Sequence, residues 1–249
     1  MERLVVIYYH DVVKLGEGYS YQRIEEEKFE QQMRFLTEQG YHSILFEDLG
    51  KPLPEKPIMI TFDDAFRSVY ETAVPIMKKY GMKGNVFLPT KYVEEGHPHF
   101  MTWNMIKELY DEKFFDVAAH THSHVDIRTL SYEMMKNELE TSNSLIRNRI
   151  GKEADCFCMP YGTYNASSIR DLRKAYSYRF LFACYYGGIN EKKLKKGILP
   201  RIGISNDDTM EVFANKLSGK LDWKGVAQRA RLMLTNLKGE RVEEYTLDY

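Results

Sequence analysis

Short apolar runs that alternate with helix-like segments constrain the fold of this chain more than any other feature. The runs rich in strand-forming residues read RLVVIYYH, HSILF, PIMITFDD, GNVFLP, FFDVAAH, DCFCMPYG and RFLFACYYG. Between them lie segments with helical spacing, such as residues 25–40, where Phe29, Met33 and Leu36 recur before Gly40. Strand and helix in turn predict βα units and a largely parallel sheet of an α/β fold, either open or closed into a barrel.

Length and charge limit the classes of function. The chain has 249 residues with 35 basic and 36 acidic side chains, so it lacks the basic field of a nucleic-acid-binding protein. Its size fits one α/β domain. The apolar run from Leu4 to Tyr9 is too short for a secretion signal or a membrane span. We therefore expect a cytoplasmic protein without a membrane span, and the oligomeric state stays open.

Polar groups follow several of the predicted strands. They are His10-Asp11, Asp63-Asp64, the histidines of AAHTHSHVDI (residues 118–127) and the MPYG segment at 159–162. Each alone is an ordinary loop feature. In α/β folds, however, the carboxyl ends of the strands meet at one edge, where active sites form. The pattern predicts that these groups converge on one rim.

The carboxylate pair and the histidines together indicate a metal centre. Adjacent carboxylates repel each other, and a divalent ion relieves that repulsion. One Asp with two His leaves coordination positions open, as catalytic metal sites do, and the second Asp can act as a base. Extended backbone would turn His120, His122 and His124 to one face, whereas a helical turn would align only the first and last. The residues alone leave both geometries open.

Two motifs in combination resemble a known family. Thr61-Phe62-Asp63-Asp64 matches the motif TFDD, residues 120–124 match H-[ST]-x-x-H, and residues 160–162 read PYG. The chain is therefore similar to the polysaccharide deacetylase (NodB-homology) family, carbohydrate esterase family four. The resemblance implies a deformed (β/α) barrel, with residues 1–249 as a single catalytic domain.

The resemblance also implies a mechanism. It assigns Asp63 as the general base and Asp64, His120 and His124 as ligands of one divalent ion, leaving His122 free. Zinc is the favoured ion, with cobalt, nickel or manganese as alternatives. The backbone N–H of Tyr161 would stabilise an oxyanion. The implied reaction is hydrolysis of a linear amide C–N bond, which removes acetate from an N-acetylated amino sugar or glycan.

Several residues depart from the family pattern. Cys158 stands where the motif R-x-P-Y has the arginine that orients the catalytic aspartate. Ala65 replaces the usual glycine after the aspartates, which predicts a turn without positive φ. The L-x-H motif with the histidine acid is missing, and Arg201 stands near its expected place. His10 is the leading candidate for the acid, and a hydrogen-bonded histidine at a strand end is the alternative.

Alternative functions follow from these departures. The same site could hydrolyse a non-sugar amide or imide, or the protein could be a catalytically silent carbohydrate binder. Residues 222–240 predict an amphipathic helix. Packing against the barrel is the favoured use of that helix, and docking on a partner or a membrane surface is the alternative.

Overall fold

Seven parallel strands close into a barrel in the computed structural model, which describes residues 3–14, 16, 20 and 22–238. Strand β1 (Val5–Tyr9) pairs with both the last strand and the fifth, and this double pairing closes the ring. The other barrel strands are β5 (Pro57–Phe62), β6 (Gly84–Leu88), β7 (Phe115–Ala119), β8 (Cys156–Cys158), β9 (Phe180–Cys184) and β10 (Ile198–Gly203). Around the ring the order is β1, β10, β9, β8, β7, β6 and β5.

The barrel is deformed because its strands are unequal. Strand β8 has three residues, and β4 (His42–Ser43) pairs only with the first residues of β5. A separate parallel pair, β2 (Asp11–Val13) and β3 (Arg23–Glu25), follows β1. This architecture confirms the predicted deformed (β/α) barrel.

Helices cover the outside of the barrel. They are α1 (Glu26–Glu38), α2 (Val74–Lys79), α3 (Thr90–Glu94), α4 (Trp103–Asp111), α5 (Tyr132–Ile150), α6 (Ala166–Ala175), α7 (Glu191–Lys196), α8 (Met210–Ser218) and α9 (Lys224–Lys238). Local sequence sets their ends: Ser131 caps the first turn of α5, and Gly151 ends it with a φ of 86°. The predicted helix around 222–240 extends at its last two positions beyond the described residues.

Two apolar clusters separate the inside of the barrel from its outside. The larger cluster joins alternate strand residues to helix residues such as Phe29 and Leu139, so it lies between the strands and the helices. The smaller cluster takes other strand residues together with neighbouring loop residues, and Leu194 of α7 packs against it. None of its fully buried members belongs to an α-helix, so its strand residues fill the barrel. Val6, Met59 and Leu199 belong to this interior set.

The alternation of side chains along strands then decides which polar residues face inward. On one strand, side chains that point into the barrel lie two positions apart. Counting two or four positions onward from an interior residue of each strand reaches His10 after β1, Asp63 after β5, His120 after β7 and Arg201 on β10. The polar residues are therefore gathered at the carboxyl end of the barrel by strand geometry.

The apolar run near the N-terminus is part of this core. Leu4, Val6 and Ile7 are fully buried in and beside β1. Within the described part of the chain, none of the helices combines the length and apolarity that a bilayer crossing requires.

Candidate active site

The turn after β5 places both aspartates in the barrel mouth. Simple alternation would send Asp63 inward and Asp64 toward the helices. Instead, Asp64 has a φ of 66° and Ala65 a φ of 57°, so the chain turns through two left-handed residues. The prediction of a turn without positive φ at Ala65 was therefore wrong. The left-handed turn breaks the alternation, and Asp64 joins Asp63 at the site despite the steric cost at Ala65.

Asp64, His120 and His124 form a group with the donor set of a metal site. Their ligand atoms lie within 4.8 Å of one another. Oδ1 of Asp64 lies 3.3 Å from Nε2 of His124 and 3.8 Å from Nε2 of His120. This Oδ1 is buried and, among the described residues, has no hydrogen-bond partner. An unpaired buried carboxylate oxygen is costly, and a divalent ion between these atoms would satisfy it.

The backbone around His120 orients its ring for this role. Nδ1 of His120 lies 2.8 Å from the carbonyl oxygen of Cys158, which can only accept a hydrogen bond. Nδ1 therefore carries the proton, and the lone pair of Nε2 faces Asp64. The sequence pattern did not indicate that the backbone carbonyl of Cys158 would contact this histidine.

Burial keeps the two histidines neutral. It lowers the pKa of His120 to about 4 and that of His124 to about 4, although Asp63 acts in the opposite direction on both. Burial also raises the pKa of Asp64, against the opposing effect of His10. Neutral imidazoles are the form that binds metal, so the ion-free protein already holds two ligands in that state.

The loop after β7 separates the three histidines. The strand ends at Ala119, and Thr121 and His124 then have φ values of 60° and 57°. His122 turns away, and its Nδ1 lies 3.0 Å from the hydroxyl of Thr90. The structure thus brings His120 and His124 to Asp64, and His122 to another partner.

Glu138 of α5 holds this loop, and sequence reasoning did not identify it. Its carboxylate accepts hydrogen bonds from the backbone N–H groups of His122 and Ser123 at 2.9 and 2.8 Å, and from the Ser123 hydroxyl at 2.7 Å. The spacing from Ser123 to Glu138 gives no local signal, because the contact depends on how α5 packs.

Asp63 is held by a different group. The guanidinium of Arg201 donates to both carboxylate oxygens, with Nη1–Oδ1 at 2.6 Å and Nη2–Oδ2 at 2.8 Å. Arg201 is fully buried inside the barrel. Burial alone would raise the pKa of Asp63, but the Arg201 charge and hydrogen bonds hold that pKa well below its ordinary value. Asp63 is therefore an ionised, fixed carboxylate.

Arg201 contacts the residue that stands at the arginine position of the R-x-P-Y motif. Its Nη2 lies 2.7 Å from Sγ of Cys158, the residue at the motif's arginine position. Its guanidinium also lies between the rings of Tyr8 and Phe87, at 4.7 and 4.9 Å from their centroids. The last strand thus supplies Asp63 with a cation next to Cys158, the position at which the motif has an arginine.

His10 and Tyr161 complete the mouth. Nε2 of His10 lies 4.0 Å from Oδ2 of Asp63, and its side chain is 13% exposed. Tyr161 has a φ of 59°, and its ring meets the ring of His124 edge-on at 4.7 Å. Both predicted residues therefore stand at the barrel mouth, one beside Asp63 and one beside His124.

The chain is similar to known proteins in sequence and in structure. The sequence profile of the polysaccharide deacetylase family matches residues 50–181. YxkH of Bacillus subtilis (strain 168), which bears the same family name, is 28% identical over 178 residues, which are 69% of this chain. The match spans 61% of the length of YxkH.

A second relative and a solved structure extend the likeness. The poly-beta-1,6-N-acetyl-D-glucosamine N-deacetylase of Staphylococcus aureus (strain MSSA476) is 26% identical over 238 residues, covering 86% of this chain and 77% of that protein. The structure of the Streptococcus pyogenes deacetylase PplD, in complex with acetate, superposes with a TM-score of 0.78 at 21% identity. That superposition covers 86% of this chain and 98% of PplD, and it supports the fold.

Proposed function

Because the chain belongs to the polysaccharide deacetylase family, we propose that it is a metal-dependent hydrolase that removes N-acetyl groups from an amino sugar or glycan. The observation that carries the proposal is the division of labour between two adjacent carboxylates. Asp63 is paired with Arg201, whereas Asp64 leaves an unpaired oxygen beside His120 and His124. A carbohydrate binder needs neither arrangement.

Asp64, His120 and His124 would hold the ion, and zinc suits this set of one carboxylate and two imidazoles. Such an ion supplies Lewis acidity, which polarises an acyl carbonyl and makes water more acidic. Three protein ligands leave room for substrate beside the ion.

The remaining residues move protons and hold charge. Asp63 is ionised, so it can accept the proton of the water that attacks the acetyl carbonyl. Arg201 fixes its direction and keeps it ionised. We assign His10 as the acid that protonates the departing amine, because it stands next to the base at the open side of the barrel. The Tyr161 N–H is proposed to stabilise the developing oxyanion.

The substrate class follows from the relatives. The Staphylococcus aureus protein is named for poly-beta-1,6-N-acetyl-D-glucosamine, so we propose a glycan containing N-acetylglucosamine as the substrate here. Acetate and a free amino sugar are the expected products.

Acetate release from β-1,6- and β-1,4-linked N-acetylglucosamine oligomers, measured after reconstitution with Zn²⁺, tests the proposal. We expect release that stops on chelation and returns with added metal. Asp63→Asn should keep bound zinc and lose about 100-fold or more in kcat, because an amide cannot take the proton. Unchanged release by Asp63→Asn would show that the base is another residue. Release from simple amides but from no sugar would favour an amidase.

A further inference from the structure

The helix α9 packs on the barrel through its polar side. Oε1 of Gln228 accepts a hydrogen bond from the backbone N–H of Tyr186 at 2.8 Å. Asn236 accepts one from Arg128 at 2.9 Å and donates one to the carbonyl oxygen of Tyr164 at 2.9 Å. Gly225 lies so close to Tyr186 that a Cβ would stand 2.0 Å from its carbonyl oxygen. These contacts agree with the favoured prediction that the helix packs against the barrel, and they are made mainly by polar groups.

The apolar side of α9 faces outward instead. The described residues include six large hydrophobic side chains that are exposed, and five of them belong to α9 or the residue before it. These five, which we call the outer stripe, are Trp223, Val226, Met233, Leu234 and Leu237, between 58% and 83% exposed. Their spacings of three, four, seven and eight residues place them along one side of the helix. An exposed patch of this kind indicates an interaction surface.

Charge identifies the partner. The sequence of α9 contains Lys224, Arg229 and Arg231, and it contains no acidic residue. Basic residues beside an apolar stripe match a surface that is apolar beneath and negatively charged on top, as an anionic bilayer is. Two stripe residues, Met233 and Leu237, also border a groove of about 730 Å³ that α9 forms with Ile169 and Ile198, so the apolar surface continues from the helix into that groove. Trp223 at its start is a residue type enriched at membrane interfaces.

We propose that the outer stripe of α9 docks the protein on an anionic lipid bilayer. The helix would lie in the plane of the interface with the stripe toward the acyl chains. The inference goes beyond the proposed function and does not depend on it.

The helix α9 also borders a cavity next to the candidate active site. A cavity of about 460 Å³ adjoins Tyr161 and Thr163, and its other wall is formed by Gln228, Arg229 and Leu232 of α9. One side of the helix thus borders the mouth of the site while the opposite side carries the stripe.

Sedimentation of the full chain with vesicles tests the proposal. We expect it to pellet with vesicles of equal parts phosphatidylcholine and phosphatidylglycerol about tenfold more strongly than with phosphatidylcholine alone. Raising the salt concentration should weaken that binding, because the attraction between charges is screened. Absence of binding to the anionic vesicles would overturn the proposal, and so would equal binding to both vesicle types.

A double variant locates the contact. Val226→Ser with Leu234→Ser should lower vesicle binding by about tenfold or more, because two apolar side chains no longer enter the bilayer. Neither residue lines the cavity, so acetate release from a soluble substrate should not change. Met134→Ser is the matched control, since Met134 is 55% exposed but lies on α5. If the double variant binds vesicles as the parent does, the stripe is not the docking surface.

Analytical ultracentrifugation tests the alternative occupant, a second copy of the chain. If the parent does not bind vesicles but forms a dimer that the double variant loses, the stripe is the dimer interface instead.

Discussion

Two aspartates that are adjacent in sequence have opposite surroundings. Asp63 receives both arms of a guanidinium, and Asp64 faces two neutral imidazoles. Both are buried, so neither could remain ionised without a cation. Arg201 supplies that cation for Asp63, whereas Oδ1 of Asp64 has no hydrogen-bond partner among the described residues. This asymmetry supports the proposed roles of Asp63 as base and Asp64 as ligand.

Arg201→Met should separate catalysis from metal binding. Without the guanidinium, burial raises the pKa of Asp63 and the carboxylate loses its fixed direction, so we expect kcat to fall by about 100-fold or more. Zinc content, measured by atomic absorption, should not change, because Arg201 does not contact Asp64. The milder Arg201→Lys keeps the charge but loses the two-armed contact, and its kcat should lie between those of parent and Met variant.

A second buried ion pair provides the control for Arg201→Met. Lys152 pairs with Asp116 near the start of β7, away from the carboxyl end of the barrel. Lys152→Met should lower the free energy of unfolding by about 3–5 kcal/mol, as loss of one partner from a buried pair does, and leave kcat unchanged. If Lys152→Met reduced kcat as much as Arg201→Met, the effect of Arg201 would be one of stability rather than of positioning.

Sequence predicted the positions of the aspartates and histidines because strand ends in α/β folds converge. It did not predict the partner of Asp63. Arg201 lies 138 residues later, and only closure of the barrel through β1 brings the two together. Cys158, which stands at the arginine position of the R-x-P-Y motif, did mark a missing cation. That signal could have directed attention to Arg201, whose position on its strand puts the side chain inside the barrel. No feature of the sequence predicted the left-handed φ of Ala65, because alanine does not favour that conformation.

At the scale of elements, the loop after β7 decides which histidines face Asp64. Its two left-handed residues and its clamp by Glu138 turn His122 toward Thr90. The loop is therefore fixed by α5 as much as by its own residues.

His120→Ala and His124→Ala should each lower zinc affinity by a large factor, and His122→Ala should not, because only the first two remove an imidazole facing Asp64. Isothermal titration with Zn²⁺ measures this directly. Glu138→Gln is a useful companion: a weaker clamp should loosen the loop and reduce affinity by about 10-fold, as loss of a supporting hydrogen bond does. Loss of zinc by His122→Ala equal to that of its neighbours would mean that the ligand set is wrong.

Elements differ in how far sequence predicted them. Strands β1 and β5–β7 are continuous apolar runs and were predicted close to their observed bounds. Short strands such as β2 and β3 were missed because three residues carry no periodic signal. The sequence showed that α9 is amphipathic, but it did not show which face of the helix would point toward the barrel. Amphipathicity shows that a helix has two faces, and tertiary contacts decide which one is covered.

At the scale of the whole molecule, the site couples stability to pH in the ion-free protein. His120 and His124 have pKa values of about 4 in the folded chain, against 6.5 when exposed. Between these values the unfolded chain binds more protons than the folded one, so stability rises with pH in that window. Each histidine accounts for about 3 kcal/mol at most. Asp64 opposes this at lower pH, because its raised pKa means that protonation favours the folded state.

We therefore expect the ion-free protein to lose stability as the pH falls from about 6.5 to about 4, measured by urea unfolding after exhaustive dialysis. His124→Gln should remove about half of that dependence, because one of the two titrating groups is gone. A slope unchanged by His124→Gln would place the titrating groups elsewhere.

The ion pair between Asp63 and Arg201 ties the proposed activity to the last strand of the barrel. Every recognisable motif precedes β10 in the chain, so it is synthesised first, yet Asp63 still lacks its cation at that stage. A nascent chain, or a fragment cut at residue 181 where the family profile ends, would carry the complete signature of a deacetylase and an unpaired Asp63. Completion of the last barrel strand is thus the step that gives the proposed base its cation, and we expect a chain that ends before β10 to be inactive.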